Sequence, residues 1–527
     1  MSKFARSNTV RPIYGTSPVR TGETPTRTFE GAAGFSADAK GALFNLALTN
    51  MVSEATFYES ATDRDERFES LVHEVASTDP EWIEGFIPWL RNTGNMRSAS
   101  LVAAIEAGRQ FLADGRPGAR ALIASACSRA DEPAEALAYW LARYGRKLPM
   151  AVKRGIADAA VELYTERAAL KWDSQRADVR MGDVIELTHP TPKAPWQSAL
   201  FKHLLDKRHG HFSYDAVEGL PSLPTLNATY TLEAVPVDLR RGLLVEGGSD
   251  LLRQAGFTWE RLGGWIPGGM DAQAWESQIP SMGYMALLRN LRNFAKAGIS
   301  DAMVDFVNAK LADPEEIAAS RQFPYRFWSA HRYSGTLDYT RGTERGLQGS
   351  CGNIPVLPGR TLVAVDTSAS MNAVLSAKSE ISRVEAAALF GAAVGVQSDV
   401  DVLIFGQTCA FFDDRPTSLI RSIETLVNAV GSVGHATNTW QSVKAAFDDR
   451  GPYDRVIIFT DDQATPFSWR PADSVSVYVW DFAGYNRFSL DTSKPNNHIF
   501  TGFNDSAFKM IPLLERGSDV GYPWEQG

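Results

Sequence analysis

From residue 36 to 335 the chain repeats one pattern: apolar residues every third or fourth position, interrupted by short Gly, Pro, Asp or Asn breaks. "AKGALFNLALTNM", "DERFESLVHEVA", "EWIEGFIPWLRN", "SLVAAIEAGRQFLA", "EALAYWLARYG" and "VKRGIADAAVELY" all carry the i, i+3, i+4 spacing of amphipathic helices. Each such helix has one apolar stripe and needs a neighbour to cover it. Antiparallel pairs stacked into a HEAT-like α-helical solenoid meet that need, although no strict sequence period marks the repeats. A solenoid has one curved inner face, which suits a long partner.

The last third is built differently. In "RTLVAVDTSASM" a β-branched run, Thr361 to Val365, follows Pro358-Gly359 and ends at Asp366, reading as a buried strand. "DVDVLIFG" (399–406), "DRVIIFTD" (454–461) and "SVSVYVWDF" (474–482) are further strands, with helical patterns near 381–396, 417–429 and 437–449 between them. This predicts an α/β, Rossmann-like domain, in which ligands gather beyond the carboxyl ends of strands. Asp366, Ser368 and Ser370 stand at such an end; Asp461 ends another strand, and Thr437 starts a helix. These five oxygens are hard donors of the kind Mg²⁺, Mn²⁺ or Ca²⁺ prefers, without thiolate or imidazole. A hydrolase fits poorly: Ser368 lacks a G-x-S-x-G elbow, and His435 near Thr437 is not directed at a nucleophile by any motif. A phosphatase of the haloacid-dehalogenase type wants a second Asp where Ser368 stands.

At 527 residues and 44% hydrophobic content the chain allows two or more domains with sizeable cores. Cys127, Cys351 and Cys409 have no metal-type spacing and read as small buried hydrophobes. With no signal peptide or membrane-length apolar run apparent, a soluble, cytoplasmic protein with no membrane partner is expected. The net charge of −9 is uneven: from residue 361 onward 12 Lys and Arg face 20 Asp and Glu, leaving 41 against 42 of the totals, 53 and 62. In the first 29 residues Lys3, Arg6, Arg11, Arg20 and Arg27 stand against Glu23, and residues 1–35 read as a basic flexible arm. Gly-rich residues 341–360 read as a linker between a helical domain, 36–340, and the α/β domain, 361–527.

Within the helices, Lys153-Arg154, Lys171, Arg176, Arg180, His189, Lys193, Lys202 and Lys207-Arg208 recur over about fifty residues. Several phosphate contacts on one face are what backbone-dominated RNA binding needs, while a solvated face balanced by nearby carboxylates is the plainer alternative. His189, in "THPTPK", also reads as a helix-ending His bonded to backbone. His203, His209 and His211 lack the carboxylate or Cys pattern of a metal site, and Trp82, Trp89, Trp140 and Trp196 fall on apolar helix faces expected in the core.

The order D-x-S-x-S, Thr before a helix, then a T-D pair resembles the metal-ion-dependent adhesion site of von Willebrand factor type A domains. The resemblance implies that Asp366, Ser368, Ser370, Thr437 and Asp461 hold a divalent cation, Mg or Mn, with one position left for an acidic partner's oxygen. A helical array followed by such a module resembles the TROVE-domain family, the Ro autoantigen and its bacterial Ro-like relatives. "VKRGIADAAVELY", "SQRADVRMGDVIELTHPTP", "MGYMALLRNLRNF", "VAVDTSASM" and "IIFTDDQATPF" carry it, with a departure after Gln175-Arg176, where Asp178-Val179 replace the family's Gly-Trp. The resemblance spans about 36–516 and is thin between 210 and 275. It implies a solenoid closed into a ring and pinned shut by the A domain, non-catalytic and monomeric. It further implies RNA contacts at Lys153, Arg154, Lys171, Arg176, His189, Lys193 and Arg289. Small Y RNA-like molecules would lie outside and the 3′ ends of misfolded RNA in the hole, in RNA quality control, with an exoribonuclease tethered through RNA. The competing expectation is a protein–protein adaptor that grips an acidic ligand through the metal.

Overall fold

In the computed structural model the described residues are 15–49, 53, 55–211, 222–244, 248–352, 354–375, 381–397, 399–413, 418–502, 506–517 and 520–525. The chain forms two compact units: Met1–Leu71 with Gln322–Ser329 and Leu347–Gly527, and Val72–Arg321 with Ala330–Gly346. No helix among the described residues is long and apolar enough to cross a membrane.

The second unit is helical. Its helices include Pro80–Asn92, Arg97–Ala113, Glu132–Tyr144, Met150–Leu163, Met181–Thr188, Pro195–Arg208 and Tyr284–Ala297. The signals that start them are local: Asp79 caps the first, accepting from the Trp82 N–H at 3.1 Å, with Pro80 in its first turn. Glycines let neighbours approach. A Cβ on Gly155 would lie 2.7 Å from the Arg120 carbonyl, and one on Gly182 would lie 2.8 Å from that of Leu204. Trp82 and Trp140 are buried as expected, whereas Trp196 is 41% exposed and so lies outside the core.

The first unit is the α/β one. Its six-stranded sheet contains β3 (Thr361–Asp366), β4 (Val400–Phe405), β5 (Cys409–Phe412), β6 (Arg455–Thr460), β7 (Ser476–Asp481) and β8 (Asn497–Thr501), in the order β5-β4-β3-β6-β7-β8. All neighbours are parallel except β4 and β5. The central strands are buried along their whole length, as Val- and Ile-rich runs with helices on both faces must be. From β3 the chain passes to β4 on one side and later returns to β6 on the other, so the crevice at the carboxyl ends of β3 and β6 is the topological switch point.

The structure draws three boundaries differently from the sequence. Of the arm expected over 1–35, residues 1–14, with Lys3, Arg6 and Arg11, lie outside the described residues. The remainder holds strand β1 (Thr21–Arg27), antiparallel to β2 (Ala33–Ala37), and is pinned to the α/β unit by Thr28 Oγ1 donating to the Ala464 carbonyl at 2.7 Å. Helix Ala39–Thr49, expected to begin the helical array, belongs to the α/β unit. It is buried from Gly41 to Thr49, and its Asn45 Nδ2 donates to Asp481 at 2.7 Å. In the expected linker, 340–350 is a helix whose Tyr339, Thr343, Leu347 and Cys351 form one buried stripe at four-residue spacing. Gly342 serves packing: a Cβ there would meet Asn308 Oδ1 at 2.7 Å.

Candidate cation-binding rim and basic groove

At the switch point of the α/β unit three loops meet. Strand β3 delivers Asp366 and the next turn folds back on it, the Ser368 N–H donating to Asp366 Oδ1 at 2.8 Å. The Ser368 and Ser370 hydroxyls then lie 3.2 Å apart. A second loop carries Thr437: the Ala369 N–H donates to the His435 carbonyl at 3.1 Å, and the Asn438 N–H to that of Gly406 at 3.1 Å. Close approach is built in, because a Cβ on Gly406 would collide with the Gly434 carbonyl. The third loop follows β6, and its Thr465 N–H donates to the Thr437 carbonyl at 2.9 Å. Asp366, Ser368, Ser370, Thr437 and Asp461, 95 residues apart at the extremes, are thereby brought to one buried rim.

Four carboxylates are buried here, and they differ in how they are held. Asp462, with φ 56°, accepts from the Ser489 N–H at 2.8 Å and from its hydroxyl. Asp481 accepts from Asn45 and from the Ala483 and Gly484 N–H groups, at 2.7, 2.7 and 3.0 Å. Asp366 also accepts from Thr460 Oγ1 at 2.5 Å. Asp461 is the exception: both carboxylate oxygens are buried without a well-formed hydrogen bond, and Ser370 and the Gln463 N–H only approach it closely enough to favour its charge. Burial raises the Asp461 carboxyl above the usual range, and burial together with the Asp461 charge pushes Asp366 up to about 7. Burial likewise pushes Asp462 up to about 8 and Asp481 up to about 6. Two buried carboxylates, one of them short of well-formed hydrogen bonds, amid neutral hydroxyls suit a hard divalent cation. The donor set fits such an ion.

In the helical unit, Lys153, Arg154, His189 and Lys193 line one groove of about 540 Å³. Lys153 and Arg154 sit on helix Met150–Leu163. His189 caps helix Met181–Thr188 in the left-handed region, φ 51°, its N–H bonded to the Ile185 carbonyl. The loop after it is fixed by Gln197, which accepts from the Lys193 N–H at 2.8 Å and donates to the Val161 carbonyl at 2.6 Å. Arg120 completes the basic lining. Sequence reasoning passed over it because its helix, Ala119–Ser125, is short and has no basic neighbours inside it. Its guanidinium grips Asp158 through two bonds, 2.6 and 2.9 Å, and Lys193 pairs with Glu162. Among the described residues no carboxylate pairs with Lys153 or Arg154.

The rest of the basic strip does not join this groove. Lys171 is exposed with its ammonium 4.8 Å from the Trp172 ring centre, Arg176 lies in the exposed turn before Arg180, and Arg289 is exposed on helix Tyr284–Ala297. Arg180 is buried against Asp173, which also takes Lys207 at 3.3 Å; Arg208 bonds Asp183 at 2.7 Å and Lys202 bonds Asp206 at 2.6 Å. These four act as structural counter-charges. His203 is buried and bonded to the Tyr230 hydroxyl at 2.9 Å, away from any metal-type cluster among the described residues.

An array of helices together with a doubly wound α/β unit bearing an oxygen-lined rim defines the class of protein. A family model of the TROVE domain matches residues 253–342, which include Arg289. Telomerase protein component 1 of Mus musculus is 40% identical over 76 residues, 14% of this chain and 3% of that protein, and the Rattus norvegicus protein of the same name matches equally. The chain thus spans only a small part of these curated relatives. The crystal structure of the Deinococcus radiodurans RO (RSR) protein shares the fold, with a TM-score of 0.59 and 17% identity over 90% of this chain and 99% of that one. The chain is similar to the TROVE-domain Ro family in a helical segment and shares the Ro fold over most of its length.

Proposed function

We propose that this chain is a non-catalytic RNA-binding protein of the Ro type, its helical solenoid closed into a ring and its α/β unit a von Willebrand factor A module. Small structured RNA of the Y RNA kind is held on the basic outer surface. Single-stranded 3′ ends of misfolded RNA enter the ring, where the complex serves small-RNA stability, quality control or degradation, an exoribonuclease joining through the RNA. The protein acts as a cytoplasmic monomer. The observation that carries this reading is the groove in which Lys153 and Arg154, without carboxylate partners among the described residues, stand beside His189 and Lys193. Cations on one face release counterions from a phosphate backbone and so bind RNA with a marked salt dependence. Lys171, Arg176 and Arg289 extend the charge along the helices.

Asp366, Ser368, Ser370, Thr437 and Asp461 would hold Mg²⁺ or Mn²⁺, which when bound offers a coordination position to an acidic oxygen. The protein's own contribution is to gather the donors and to keep water from Asp461. Ser368 faces Ser370, and His435 meets the loop through its carbonyl, an arrangement that favours binding over nucleophilic catalysis. Replacing Lys153 and Arg154 together by Ala tests the RNA reading. Binding of single-stranded and stem-bearing RNA should weaken alike, and the slope of log affinity against log salt should flatten by about 1.4 for a single strand. An unchanged slope removes the groove from the RNA interface.

A further inference from the structure

The α/β unit holds a cavity of about 270 Å³ that none of the five rim donors lines. It forms where three segments meet. Strand β2 brings Phe35, whose N–H and carbonyl exchange hydrogen bonds with the carbonyl and N–H of Phe488, both at 2.8 Å. The chain after β6 brings Phe467 and Arg470, and the chain between β7 and β8 brings Leu490 and Asn496. Helix Thr439–Arg450 supplies Trp440, which is 0% exposed and donates from Nε1 to Ser489 Oγ at 3.2 Å. The Arg470 guanidinium lies over that ring, its Cζ 4.2 Å from the ring centre. It is fixed there by Nη1 donating to the carbonyls of Phe467 and Trp469 at 2.7 and 2.9 Å and by Nη2 donating to that of Ser489 at 3.3 Å. All three acceptors are neutral, so the cation keeps its pull on an electron-rich partner. Asn496 is a second unfinished contact. It lines the cavity, is 3% exposed and gives Nδ2 to the Val475 carbonyl at 2.7 Å, but its Oδ1 is buried with no hydrogen-bond partner among the described residues.

The lining decides what fits. An apolar cavity of about 150 Å³ accepts benzene, so this one has room for one or two rings. Phe35, Phe467 and a fixed guanidinium present flat surfaces that favour a flat partner. Arg470 repels a cation. A plain hydrocarbon ring would leave Asn496 Oδ1 unpaired, a cost that a ring or amino N–H removes. The lining charges Lys494 and Asp473 are 50% and 83% exposed and pair with each other at 3.4 Å, so they ask no net charge of the ligand. The partner so defined is a neutral, planar heteroaromatic ring that carries an N–H donor, and the common biological group of that description is a nucleobase. We propose that this cavity binds one nucleobase, stacked against Phe467 and the Arg470 guanidinium, with an N–H of its edge directed to Asn496. The site is independent of the basic groove, because every residue of its lining belongs to the α/β unit.

The test is calorimetric titration of the full-length protein, in chelator, with adenosine, guanosine, cytidine and uridine. Nucleosides carry no phosphate, so neither the basic groove nor a cation on the rim accounts for their binding. At least one should bind saturably. Phe467→Ala, which removes an aromatic wall from a half-buried position, should weaken that binding by about tenfold, the usual worth of one base-stacking side chain. The analogue of the same nucleoside with its base N–H groups methylated should bind wild type about tenfold more weakly, because Asn496 Oδ1 then stays unpaired. Asn496→Leu should erase the difference between nucleoside and analogue, and the comparison on wild type stands even should that variant fail to fold. A single-stranded hexanucleotide that displaces the nucleoside, and loses affinity in Phe467→Ala, identifies the base as part of a strand. A hexanucleotide that does not displace it leaves a free nucleoside or nucleotide as the ligand. Absence of saturable binding by all four nucleosides overturns the inference, as does binding that Phe467→Ala and methylation both leave unchanged; the RNA reading of the groove stands in either case.

Discussion

The α/β rim and the helical groove both concentrate charge, yet they handle it in opposite ways. On the rim Asp366 and Asp461 are buried completely, so that their charged forms are disfavoured until something neutralises them. In the groove Arg154, His189 and Lys193 are exposed, and Arg120 and Lys193 are already paired with Asp158 and Glu162 at the surface. The rim stores unfavourable electrostatic energy that one small cation, bound as proposed, would release. The groove stores almost none, and the affinity for a polyanion proposed for it would come from counterion release and fall with salt.

The largest expected effect breaks the comparison at the rim. Asp366→Ala should abolish divalent-cation binding, since one carboxylate among neutral hydroxyls cannot compete with the hydration of Mg²⁺. At a hundred times its dissociation constant the cation should stabilise wild type by about 2.7 kcal/mol. Wild type should therefore melt higher in Mg²⁺ than in chelator, while the variant shows no difference and retains RNA binding in gel shifts. Loss of RNA binding with the fold intact would mean that rim and groove serve one ligand.

The pH dependence should separate the two units next. The rim carboxyls titrate above their unfolded values, so their contribution is fully present below about pH 4 and is lost as pH rises through about 7. For Glu106 and Asp131 of the helical unit the sign is reversed, although burial raises Glu166 there. Burial raises the Glu106 carboxyl, but hydrogen bonds from His73, Tyr144 and Tyr139 outweigh it and hold it below the usual range. Asp131 is lowered in the same way, burial being outweighed by Arg129 and Arg97. Stability from these groups is present above the unfolded carboxyl range and lost in acid. Calorimetry in chelator should therefore show the α/β transition moving down from pH 5 to pH 8 and the helical transition holding or rising. Saturating Mg²⁺ should flatten the α/β shift, and movement of both transitions together in chelator would dissolve the contrast.

How far the sequence revealed each region follows from how locally each is encoded. Asp366, Ser368 and Ser370 occupy alternate positions after one strand, and Asp461 directly follows another, so a parallel sheet places them together once strand order is known. β5 and β8 escaped notice: one is four residues long, and the other mixes Asn and His into its buried run. The helix over 340–350 was hidden by glycines that serve close packing. Basic residues were legible as a strip, but their partners were not. Asp173 and Asp183 take up Arg180, Lys207 and Arg208 through contacts 7 to 34 residues apart, which no local spacing displays.

A smaller effect concerns which RNA each part of the strip reads. Arg176→Ala with His189→Ala should reduce binding of a stem-bearing small RNA more than that of a short single strand, as measured by competition gel shift. Arg176 is placed in an exposed turn and is not among the residues lining the groove, whereas His189 lines it. Equal loss for both RNAs would confine recognition to the groove itself.

The smallest effect has the most diagnostic sign. Lys193 and Glu162 are each more than 60% exposed, and their pairing adds little to stability because water and salt screen it. Within the groove it neutralises a cation that a phosphate could otherwise use. Glu162→Gln keeps the size and polarity of the side chain and removes its charge. The melting temperature should stay within error, while affinity for RNA rises a few-fold at low salt and the salt slope steepens by up to about 0.7, one further phosphate contact for a single strand. Paired surface charge of no function would give no change in either quantity, because a cation that never meets phosphate releases no counterion whether or not its neighbour is charged.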